Sequence, residues 1–187
     1  MYRKEFVLAI LLVLILTFTC MTYANTPKDA LVIGVNTEIF ITFDPGVVGE
    51  VLPCAIVKNV YERLVDVEVK DKQFITVPGL AESWDLAPDG KTWTFHLRKG
   101  LLFANGDSLK ADAVVYSLQR VLKLKKAPFW LFADVIGLTE EGITAPDDYT
   151  VKIITKGAPP NLVLSILAVR MGAFPPNIAP TGSAGII

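Results

Sequence analysis

The chain has 187 residues, 52% of them hydrophobic, with 18 basic and 19 acidic side chains and a formal net charge of −1. That length suits one domain with a sizeable core, and the balanced charge excludes a general nucleic-acid binder, which needs a basic excess to neutralise phosphates. One histidine and two cysteines exclude a conventional zinc cage, and ten phenylalanines and three tryptophans with only 20% charged residues exclude a disordered chain.

The apolar excess is concentrated at the start. Arg3 and Lys4 precede an unbroken apolar stretch from Phe6 to about Phe18, followed by a polar step ending Thr22-Tyr23-Ala24. A charged n-region, an apolar h-region and small residues before the break predict a cleavable secretory signal over 1–24. The stretch is shorter than the roughly 20 apolar residues a comfortable membrane span requires. Cys20 follows the h-region as a lipid-acceptor cysteine would, but Thr17 and Thr19 match the preceding positions of that motif poorly, so cleavage after Ala24 is the expectation. Cys54 then remains as a lone thiol with no partner for an internal disulfide, and packing within a helix explains it better than nucleophilic chemistry.

Residues 25–187 form the expected domain. Ala30–Val35 reads as a short buried strand, and Asn36–Phe43 continues extended into the turn Asp44-Pro45-Gly46. Glu50–Leu64 reads as a helix, with Pro53 in its first turn and Ile56, Val60 and Leu64 recurring every four residues. Leu64–Val69 and Phe74–Val77 read as strands joined at Asp71-Lys72. After Glu82–Leu86 and the turn Pro88-Asp89-Gly90, Lys91–Arg98 alternates strictly: Trp93, Phe95 and Leu97 share one face, and Thr94, His96 and Arg98 the other. This predicts a half-buried antiparallel strand on which His96 is a polar-face residue, with no partner carboxylate motif to make it an acid or base. Leu101–Phe103 extends the strand to the turn Asn105-Gly106.

Ser108 is placed to cap a helix whose apolar face is Val114, Val115, Leu118, Val121 and Leu122, and whose end carries Lys123, Lys125 and Lys126, opposing the dipole's negative pole. Pro128 stops it. Pro146-Asp147-Asp148 reads as a turn into a strand over Tyr149–Thr155, and Asn161–Ala168 as a short apolar helix before the break at Pro175-Pro176. No glycine-rich phosphate loop, nucleophile elbow or paired-histidine helix is present, so the chain does not read as an enzyme, and no cofactor is implied.

The order of these pieces resembles a known family. Asp44-Pro45, then Asn59–Val65, then Leu80-Ala81-Glu82-Ser83-Trp84 is similar to the extracellular solute-binding proteins of peptide and nickel ABC importers (family 5). The strongest block runs from Pro88 to Gly100 and leads into Phe103, Asn105-Gly106 and Ala111–Arg120; Asp147–Val151 resembles a further strand of the same lobe. The chain departs from the family pattern at Ala104-Asn105, Lys110 and Ala113.

That resemblance implies a mixed α/β fold, mostly antiparallel sheet with packed helices, forming the N-terminal lobe portion of a type II periplasmic-binding-protein-like architecture. It implies a substrate-binding component that captures an oligopeptide, a dipeptide or another small solute outside the cytoplasmic membrane and hands it to ABC permease subunits. The location would be periplasmic or at the cell surface. In such proteins two lobes close over the ligand by hinge motion, and the extended segment after the first strand lines the cleft. By position that segment is Thr37, Glu38, Ile39 and Phe40, whose backbone could pair with an extended peptide as an added strand, while Glu38 offers a carboxylate to a peptide amine. Trp84, Trp93, Phe95 and Phe103 are expected in the core of the sheet rather than at the site. Family members are much longer, so the chain is expected to be the N-terminal part of such a protein, ending before the second lobe. A short secreted interaction protein and a non-functional remnant are the alternatives.

Overall fold

The computed structural model describes residues 28–30, 34 and 42–170, apart from the side chains of 169 and 170. The chain divides into two units, 1–36 and 37–187, and every element described here belongs to the second. The expected leader, the strand over Ala30–Val35, the segment Thr37–Phe40 and the break at Pro175-Pro176 lie wholly or almost wholly outside the described residues.

The elements run α1 (Val51–Val60), β1 (Val65–Lys70), β2 (Gln73–Pro78), β3 (Ala81–Leu86), β4 (Thr92–Leu97), α2 (Ala111–Leu124), a π-helical turn (Leu131–Val135), β5 (Ile143–Asp147), β6 (Thr150–Ile154) and α3 (Pro160–Arg170). β1 and β2 form a two-stranded ribbon, and the other strands a four-stranded sheet in the order β3-β4-β6-β5, antiparallel at every pairing. The expected mixed, mostly antiparallel architecture is what is found.

β4 follows its alternation residue by residue. Trp93, Phe95 and Leu97 are buried, while Thr92, Thr94 and His96 between them are not. β4 is central, paired with β3 on one side and β6 on the other, so its apolar face meets neighbours in both directions: Trp84 and Val151 lie opposite Phe95. α2 covers this face with Val114, Leu118, Val121 and Leu122, and the core continues through Phe132, Ile136, Val163 and Leu167. Trp84 and Phe103 pack against that core but are only partly buried.

Turn chemistry sets the strand register. Asp71 and Lys72 both adopt positive φ, 52° and 63°, as a two-residue turn matched to strand twist requires. Between β3 and β4, Gly90 takes φ 66°, and the Asp89 carboxylate accepts the N–H groups of Lys91 and Thr92 at 2.8 and 2.9 Å and the Thr92 hydroxyl at 2.6 Å.

Four expectations are corrected. α1 stops at Val60 rather than reaching Leu64, because Arg63 and Leu64 use their carbonyls to accept Leu80 N–H and Ala81 N–H, which holds them extended. Its buried residues are accordingly Pro53 and Val57, and Val60 is exposed. Ser108 does not cap α2. It is bridged to Leu102, the helix begins after Lys110 without a side-chain cap, and the Asp148 carbonyl accepts Ala111 N–H at 2.9 Å instead. Finally, Pro146 lies inside β5 rather than in a turn, which a strand at the sheet edge tolerates because one side of its backbone is unpaired.

The Asp89 turn generates a pH prediction. Hydrogen bonds from the Thr92 side chain and from Thr92 and Lys91 N–H hold its carboxyl at about 2, below the ordinary 3.8. A carboxyl depressed by folding stabilises the native state above the ordinary value and loses that contribution as pH falls through the folded one. An NMR titration is expected to place Asp89 near 2, with the β3–β4 hairpin amides shifting together in that range; an Asp89 titration near 3.8 would contradict the hydrogen-bonded turn.

Candidate functional site

The site residues expected from sequence, Thr37, Glu38, Ile39 and Phe40, lie outside the described residues. What the structure supplies is the anchorage of the chain directly after them. Asp44 opens the turn at Pro45-Gly46, its carbonyl accepting Val47 N–H and Val48 N–H, both at 3.0 Å, and its carboxylate accepting Gly46 N–H at 2.8 Å. The same carboxylate receives Arg120 from α2 through two bonds, Nη1 to Oδ1 at 2.8 Å and Nη2 to Oδ2 at 2.6 Å. Both side chains are buried, Arg120 with 11% and Asp44 with 8% exposure. The two-pronged geometry is what a planar guanidinium provides and an ammonium does not.

Gly46 is required beside this pair. A Cβ there would come within 2.7 Å of Arg120 Nη1 and 3.2 Å of Asp44 Oδ1. The hydrogen bonds to Asp44 hold the Arg120 guanidinium above its ordinary pKa. Tyr61, just past α1, senses the same environment: burial raises its phenol pKa and the Asp44 charge raises it further, with Arg120 partly opposing.

A polar cleft of about 290 Å³ opens at the other end of α1, lined by residues that include Lys58, Tyr61, Arg63, Asp66, Gly79 and Arg98. Arg63 is its most buried charged wall. Its Nη1 donates to the Lys58 carbonyl at 2.8 Å, closing the end of α1, and its Nη2 pairs with Asp66, while Nε is buried without an acceptor among the described residues. Partial burial opposes ionisation of Asp66, but the Val67 N–H and Arg63 outweigh it and hold that carboxyl below its ordinary value. Gly79 lets the β2–β3 junction pass close by, since a Cβ there would meet the Arg63 carbonyl at 2.4 Å.

His96 gains a neighbour that sequence did not reveal, Asp85 on β3, with Nε2 to Oδ2 at 3.3 Å. Both side chains are well exposed on the sheet. Among the described residues no three His, Cys, Asp or Glu side chains converge as a metal site.

The Asp44–Arg120 pair predicts a large mutational response. Arg120→Met and Asp44→Asn are each expected to destabilise the fold by about 3 kcal/mol, the cost of removing one partner of a buried charge pair. Gly46→Ala should destabilise by pushing the guanidinium away. Chemical denaturation of the three variants checks this, and a change below about 0.5 kcal/mol in the first two would place the pair in solvent-like surroundings.

Comparison with known proteins agrees with this architecture. Residues 76–184 match the family model "Bacterial extracellular solute-binding proteins, family 5 Middle". The chain is 37% identical over 132 residues to the probable D,D-dipeptide-binding periplasmic protein DdpA of Escherichia coli, an alignment covering 70% of this chain and 24% of that protein. It is 45% identical over 77 residues to a dipeptide-binding protein of Pseudomonas aeruginosa, covering 38% of this chain and 14% of the relative. Among solved structures, the substrate-binding domain of an oligopeptide ABC transporter from Bacillus anthracis superposes with a TM-score of 0.59 at 30% identity, over 70% of this chain and 27% of that one. Haemophilus influenzae OppA in complex with RPPGFSPFR gives a TM-score of 0.58 at 28% identity, over 68% and 28%. The chain thus spans about a quarter or less of the curated relatives it matches. With more than half of its residues inside the family model and its fold superposing on those structures, the chain belongs to the bacterial extracellular solute-binding proteins, family 5.

Proposed function

We propose that the chain acts in the capture of short peptides outside the cytoplasmic membrane, as part of the substrate-binding component of an ABC importer. The observation that carries this reading is the membership of residues 76–184 in the family-5 model, joined to relatives named as dipeptide- and oligopeptide-binding proteins. Residues 1–24 serve as the cleaved export signal in this reading, and the location is periplasmic, as the names of the relatives state for DdpA and OppA. The chain works by binding rather than by catalysis, and its partners are the peptide and the membrane permease.

Thr37, Glu38, Ile39 and Phe40 make the peptide contact. Extended backbone there adds the peptide as a strand, and Glu38 takes its amino terminus. The support for this placement is the pinned turn at Asp44, which fixes the exit of that segment. A ligand favours the state to which it binds more tightly, so closure follows from contacts made only when the peptide is held from both sides.

Thermal unfolding of the full chain with a mixed di- to pentapeptide library tests the reading. With a Kd of about 1 mM, peptide at about 10 mM adds about 1.4 kcal/mol of stability, or a rise in Tm of about 3–5 °C for a domain of this size. Glu38→Gln is expected to reduce the rise, and N-acetylated peptides to give a smaller one. No rise with any free peptide would remove peptide capture from this chain.

A further inference from the structure

The end of α2 carries a surface that the fold itself does not require. After Leu124, Lys125 adopts a left-handed conformation, φ 52°, and the chain turns through Lys126, Ala127 and Pro128 to Trp130. Phe129 N–H donates to the Lys126 carbonyl at 2.8 Å and Leu131 N–H to the Pro128 carbonyl at 3.1 Å. Lys125 and Lys126 are exposed, and Trp130 is 55% exposed. Ala127 lies against the start of α1, since a Cβ on Gly49 would come within 2.4 Å of its Cβ. Val51, 87% exposed, stands two residues beyond that contact.

Helix-end electrostatics account for only part of this. Lys123, in the last turn, faces the negative pole of the dipole and pairs with Glu140 at 3.3 Å. Lys125 and Lys126 lie past that turn and make no ion pair within 4.0 Å among the described residues. The acidic groups along the two segments are Glu50, whose Oε2 accepts Gly49 N–H at 3.2 Å, and Asp134. An indole left in water forgoes the gain of burying a large ring. Its amphipathic ring is at home at the head-group level of a bilayer, and adjacent lysines are drawn to anionic lipid within a Debye length. A nucleic acid would need a longer basic track than two ammonium groups on a chain of net charge −1.

We propose that the Lys125–Trp130 turn docks on an anionic lipid surface, with the Trp130 indole among the head groups and Lys125 and Lys126 against lipid phosphates. This goes beyond solute capture and does not depend on it.

The test is co-sedimentation of the full chain with phosphatidylcholine vesicles, with and without phosphatidylglycerol. The apolar leader contributes equally in every variant, so the comparison is between variants. Lys125→Asn/Lys126→Gln, which keeps a residue tolerant of the left-handed conformation, is expected to lower partitioning onto the anionic vesicles at least about tenfold and to leave partitioning onto neutral ones unchanged. Trp130→Ala should lower partitioning onto anionic vesicles as well. Lys70→Asn/Lys72→Asn, the same charge change in the β1–β2 turn, should have little effect. Unchanged binding by the Lys125/Lys126 variant, an equal fall in the Lys70/Lys72 control, or no effect of Trp130→Ala would each overturn the proposal.

Discussion

The bidentate contact between Asp44 and Arg120 joins residues 76 positions apart, and the front of the domain is arranged around it. Burying two charges costs several kcal/mol each before their attraction and hydrogen bonds repay it. Repayment here is thorough, because the Asp44 carboxylate accepts three donors, two from the guanidinium and one from Gly46. The pair therefore contributes placement more than net stability. It fixes where the turn at Pro45-Gly46 lies against α2 just before α1 begins.

α1 needs this help. Its N-cap, Glu50, makes no side-chain capping bond, its first turn holds no acidic residue, and it is ten residues long, short enough that isolated helices of this kind are marginal in water. Its stability comes from its ends. Before it stands the Asp44–Arg120 pair. After it stands Arg63, which takes the Lys58 carbonyl with one nitrogen and Asp66 with another. Two arginine–aspartate pairs thus bracket a weak helix, one tied to α2 and the other to the start of β1.

The Asp44–Arg120 bracket was not legible in the sequence, and the reason is physical. Periodicity reports which face of an element is apolar, so β4 could be read residue by residue from Thr92 to Leu97. Turn signals report local φ, so Asp71-Lys72 and Asp89-Gly90 were placed correctly. A charge pair formed across 76 residues leaves no local trace in either signal. Long-range hydrogen bonding also ended α1 before Leu64, because Arg63 and Leu64 were claimed by the backbone of Leu80 and Ala81. At β5 the local signal was misleading: proline normally marks a turn, and only the position of the strand at the sheet edge makes Pro146 acceptable. Ser108 looked like a cap by residue type, but the Asp148 carbonyl had already satisfied Ala111 N–H. The candidate ligand segment, Thr37–Phe40, was legible only through the resemblance, since an apolar strand end with one carboxylate has no pattern of its own.

The clamp also bounds what that segment can do. An extended chain advances at most about 3.3–3.6 Å per residue, so Phe40 lies within about 14 Å of Asp44 and Thr37 within about 25 Å. A peptide gripped by this segment therefore pulls on a point tied to α2, and through α2 to β5 and β6, rather than on a free terminus. In the proposed reading, weakening the pair should then lower peptide affinity, because the contact segment would hang on a looser anchor. In that reading, stability and affinity share one contact.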